Sequence, residues 1–92
     1  MREYRDASNR LSFDLSDREQ DFGRFARRMI SLHGEPIQKL DDALGDRRYW
    51  DFDVEGTRVV LHFDVMDGIS MHIEDGSHEP LLREVIKELT SG

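Results

Sequence analysis

The 92-residue sequence predicts an α+β fold. It reads as a two-layer sandwich, with an antiparallel sheet of four strands and two main helices packed on one face. A fifth strand joins if an ambiguous segment at 35–45 is extended. Three observations lead there. Segments between residues 50 and 74 alternate apolar and polar side chains with period two, and turn residues separate them. Two other segments carry apolar side chains at steps of three and four, the mark of a half-buried helix. Hairpin-linked strands and helices are segregated along the chain, which favours an antiparallel sheet covered on one side.

Residues 1–9 show no periodicity and are expected to form a mobile N-terminal arm. Leu11, Phe13 and Leu15 alternate with Arg10, Ser12 and Asp14, which predicts a strand. Ser16 with Glu19 has the spacing of a capping box, in which each side chain satisfies a free backbone N–H. Phe22, Phe25, Ala26, Met29, Ile30 and His33 then form one apolar stripe, so a helix is expected over 17–33. Gly34 suits its left-handed end and Pro36 blocks its continuation. In 35–45, Ile37, Leu40 and Leu44 fit a short helix, and Ile37 to Leu40 fit a short edge strand equally well.

The centre is a three-stranded meander. Trp50, Phe52 and Val54 alternate with Asp51 and Asp53. Val59, Leu61, Phe63 and Val65 alternate with Arg58, Val60, His62 and Asp64. Ile69, Met71 and Ile73 alternate with Ser70, His72 and Glu74. A two-residue turn at Glu55-Gly56 pairs Val54 with Thr57 and keeps apolar opposite apolar. A three-residue loop, Met66-Asp67-Gly68, pairs Val65 with Ile69 and Phe63 with Met71. Asp75-Gly76-Ser77 reads as a turn into a last helix, with Pro80 in its first turn and Leu81, Leu82, Val85, Ile86 and Leu89 on its apolar face.

The length bounds the molecule to one domain, 1–92, with one modest core. With 13 Lys and Arg against 20 Asp and Glu, the formal charge is −7. Phosphate-backbone binding needs a basic surface, so nucleic acid is not expected as a partner. The absence of Cys excludes disulfides and thiol chemistry. The longest apolar run, Val59 to Leu61, is far short of a membrane span, and MREYRDASNR is not a signal peptide. These features lead to an expectation of a cytoplasmic protein. No phosphate-cradling glycine loop, nucleophile elbow, HExxH or EF-hand loop is present.

The polar face of the meander carries the functional expectation. The register above sets His62 directly opposite His72, with Tyr49 flanking His62, Asp64 facing Ser70, and Val60 between Asp51 and Glu74. Two imidazoles among carboxylates suit a divalent metal or a proton-sensitive patch, although a catalytic metal usually takes three protein ligands. The acidic excess is concentrated in the same region. Residues 1–33 hold seven Arg and six acids, whereas 34–92 hold six basic and fourteen acidic residues. Such a face attracts a basic protein partner. The candidate binding residues are Tyr49, Asp51, Asp53, His62, Asp64, His72 and Glu74. No catalytic residue and no cofactor is assigned. The leading expectation is a small acidic binding or accessory protein. A metal-dependent enzyme or sensor centred on His62 and His72 is the alternative from another class. Monomer and homodimer both remain open, the latter through Val60 and Tyr49.

Tyr49-Trp50-x-Phe52, Gly56, Leu61-His62-Phe63 and Gly68-Ile69-Ser70 together resemble small bacterial proteins of uncharacterised function over residues 45–70. The resemblance implies a bacterial cytoplasmic α+β domain and brings no catalytic residues with it. In size and charge alone the chain is also similar to toxin-immunity proteins.

Overall fold

A computed structural model describes residues 2–74 and 76–91. Six strands form one antiparallel sheet: β1 (Arg2–Arg5), β2 (Leu11–Ser16), β3 (Gln38–Asp41), β4 (Arg47–Val54), β5 (Thr57–Asp64) and β6 (Gly68–Ile73). Their order across the sheet is β1-β2-β6-β5-β4-β3. Helix α1 (Asp21–His33) follows β2, and α2 (Glu79–Thr90) closes the chain after a 3-10 turn at Gly76–His78. Asp75, in the expected turn, lies outside the described residues.

Period-two alternation sends one apolar set from every central strand to the same side. Leu11, Phe13, Phe52, Leu61, Met71 and Ile73 meet Phe22, Phe25 and Met29 of α1 and Leu82, Val85 and Ile86 of α2 in one buried cluster. Phe22, Phe52, Leu61, Met71 and Leu82 are sealed from solvent, so truncating one to alanine costs about 2–5 kcal/mol. Both helices therefore lie on one face, as the alternation predicts, and leave the other face bare.

Several boundaries and counts differ from expectation. The sheet has six strands rather than four or five. Residues 35–45 contribute β3, the extended alternative. The expected arm at 1–9 instead contains β1, which pairs with β2 from Arg2↔Asp14 to Arg5↔Leu11. Its stabilisation is remote in sequence: the Arg5 guanidinium holds Glu79 at 2.7 Å and Arg83 holds Glu3 at 2.7 Å, strapping β1 to α2. Helix α1 starts at Asp21, not at 17. Ser16 Oγ accepts the Arg18 N–H at 3.0 Å and donates to Asp21 Oδ2 at 2.7 Å. That local turn takes the place of the Ser16–Glu19 capping box.

The β4–β5 turn is the expected Glu55-Gly56, with φ +53° and +82°. The β5–β6 register is two residues away from the expected one: Phe63 pairs with Ile69, and Asp64 with Gly68. Asp64 starts the turn early. Its carboxylate accepts the Met66 N–H at 2.8 Å and its carbonyl accepts the Asp67 N–H. The Val65 N–H is drawn instead to the Asp46 carbonyl at 2.9 Å. A shift of two preserves which face each side chain takes, but changes its neighbours.

Candidate functional site

The corrected register lays two rows of side chains across the bare face. One runs Tyr4, Ser12, His72, Val60, Asp51, Gln38 from β1 to β3. The next runs Arg2, Asp14, Ser70, His62, Tyr49, Leu40. His62 therefore faces Ser70, and His72 faces Val60. The two imidazoles are diagonal neighbours on one face, not a directly opposed pair. Likewise Asp64 faces Gly68 rather than Ser70, and Val60 lies between Asp51 and His72 rather than beside Glu74.

These rows account for the shape of the surface. Ser12, Ser70 and Val60 are short and occupy central strands, whereas Tyr4, Tyr49 and Leu40 stand toward the edges. The result is an open trough of about 470 Å³. Five of the seven expected residues line it: Tyr49, Asp51, His62, His72 and Glu74. Asp53 and Asp64 do not, because hairpin turns use them. Asp53 Oδ1 accepts the Gly56 N–H at 2.9 Å, and Asp64 pairs with Arg47 at 3.2 Å. The trough also takes in Tyr4, Asp6, Arg10, Ser12 and Leu40, which sequence reasoning did not select. Ser12 was readable as polar-face from alternation. Tyr4 and Asp6 were not, because residues 1–9 carry no apolar pattern; Arg10 falls in the same alternation as Ser12.

Desolvation dominates the electrostatics. Burial lowers the His72 pKa to about 4, with smaller repulsions from Arg10 and His62. Burial also lowers the pKa of His62, against the attraction of Asp64 and Asp67. Both rings are therefore neutral near pH 7. His62 stacks on Tyr49 with ring centroids 4.4 Å apart. Its Nδ1 lies 3.5 Å from Ser70 Oγ, while its buried Nε2 has no hydrogen-bond partner. Burial raises the Asp51 pKa, opposed by Arg58 and reinforced by Glu74. The Asp6 carboxylate is held low by the Arg10 backbone N–H and guanidinium.

Three carboxylates, Asp6, Asp51 and Glu74, thus line the trough; Arg10 pairs with Asp6 at 2.9 Å and Arg58 reaches Asp51 at 3.5 Å. The lining combines neutral hydrogen-bonding rings, an aromatic wall and a net negative charge. Among the described residues no three His, Asp or Glu side chains converge as a metal site, so the metal reading of His62 and His72 lacks its third ligand. Val60 is only 3% exposed and forms the trough floor.

No family model, curated protein or solved structure matches the chain. No helix among the described residues is long and apolar enough to cross a membrane.

Proposed function

We propose that the chain is a binding module whose trough receives a basic side chain from a protein partner. The carrying observation is the shape and charge of the bare face: short residues at its centre, aromatic residues beside them, and carboxylates in excess. A guanidinium or ammonium entering there meets Asp51 and Glu74, while its alkyl stem lies along Tyr49 and Val60. The neutral histidines add hydrogen-bonding groups without repelling the cation.

Panning a displayed peptide library on the whole protein tests this. Recovered peptides are expected to carry Arg or Lys and to bind more weakly as salt is raised, because an exposed charge contact is screened. Replacing both carboxylates, Asp51→Asn with Glu74→Gln, should weaken binding about tenfold or more. Ser70→Leu, which fills the floor, should abolish it while the thermal melt is kept. Neutral, salt-insensitive peptides that ignore these changes would refute the assignment.

A further inference from the structure

We propose that a second copy of this chain pairs with the free edge of β3, joining two six-stranded sheets across a two-fold axis centred on Leu40. β3 ends the sheet order, and all four of its residues are exposed. The Asp42 N–H donates to the Arg47 carbonyl at 2.9 Å. Antiparallel alternation then directs the backbone groups of Gln38 and Leu40 toward β4, and those of Lys39 and Asp41 away from it. Any strand added to this edge must bond to Lys39 and Asp41.

Charge selects one self-pairing register. Three two-fold arrangements keep the outward groups opposite one another. Centring on Lys39 sets lysine against lysine, and centring on Asp41 sets aspartate against aspartate; like charges in direct opposition are destabilising. Centring on Leu40 sets Lys39 of each copy opposite Asp41 of the other. The same register sets Leu40 against Leu40, with Ile37 and Leu44 flanking the paired strands. Ile37, Leu40 and Leu44 are 56%, 56% and 83% exposed. Charge and apolar complementarity therefore agree on one isologous contact.

The two edges of the sheet are treated differently. Lysines often guard an edge by projecting across it. Here Lys39 is folded over the Trp50 ring, 4.3 Å from its centroid, and Asp41 accepts the Trp50 indole N–H at 3.0 Å. Both anchor the strand against β4. β1, at the opposite edge, presents Arg2 and Arg5 and is strapped to α2. A contact spanning residues 37–44 is smaller than the about 20–30 residues a side of a standard interface, so the dimer forms reversibly with concentration.

Sedimentation velocity of the whole protein across concentrations tests the proposal. The mass should rise toward twice that of the chain, and the Lys39 and Asp41 amides should exchange more slowly as it rises, while β1 amides are unchanged. Lys39→Asp and Leu40→Asp should each remain monomeric with an unaltered circular dichroism spectrum. Combining Lys39→Asp with Asp41→Lys restores opposite charges across the axis and should recover the dimer. A wild-type protein that stays monomeric at every concentration, or a dimer that survives Lys39→Asp, overturns it.

Discussion

At position 68 the backbone itself dictates the residue. Gly68 has φ +82°, and a Cβ there would lie 2.5 Å from the Ser16 carbonyl oxygen. The pairing of β2 with β6 shifts between Asp14 and Ser16, which brings that carbonyl against the β5–β6 turn. Gly68→Ala is therefore expected to destabilise by about 2 kcal/mol or more in chemical denaturation. Gly45→Ala supplies the comparison. Its φ is +77°, but nothing lies within 4 Å of the added carbon, so it should cost only about 1 kcal/mol. Equal losses at the two sites would contradict the steric account. His72 gives a second test. Between pH 6.5 and about 4 the unfolded chain binds a proton that the folded protein refuses. Stability should fall as pH falls through that window and stop falling on this account below it. His72→Asn should flatten the slope by about 1–2 kcal/mol in melts across that range. An unchanged slope would place the acid sensitivity elsewhere.

Among the elements, β1 shows how an edge strand is held without an apolar face. Its exposed ion pairs are individually weak, so Arg83→Ala combined with Glu79→Ala should lower global stability only slightly. Local opening should respond far more: hydrogen exchange at residues 2–5 is expected to accelerate strongly while β5 stays protected. Uniform acceleration would mean that β1 is not the element these pairs secure. The same strand marks the limit of what alternation reveals. Leu11–Leu15, Trp50–Val54, Val59–Phe63 and Ile69–Ile73 were legible because each buries one face. β1 was not, since the partners of Arg5 and Glu3 lie 74 and 80 residues away. Tyr4 and Asp6 were missed with it. The imidazole pair was assigned to the correct face and the wrong neighbours, because parity is blind to a two-residue slip. The Asp64 turn, a side-chain-to-backbone choice, decided that slip.

Over the whole molecule, charge and topology divide the labour. The helices complete the core on one side and leave the bare face to β-strands alone. The pairing that unites the sheet is remote: Ser12 meets His72, and Phe13 meets Met71. β1 and β2 thus join the rest of the sheet only when β6 arrives, although it is the penultimate regular element of the chain. During synthesis β1 and β2 must wait, with Leu11 and Phe13 uncovered, until nearly all of the described chain has left the ribosome. A stalled nascent polypeptide released before residue 69 should therefore be held by chaperones or degraded, whereas one that includes α2 should fold at once.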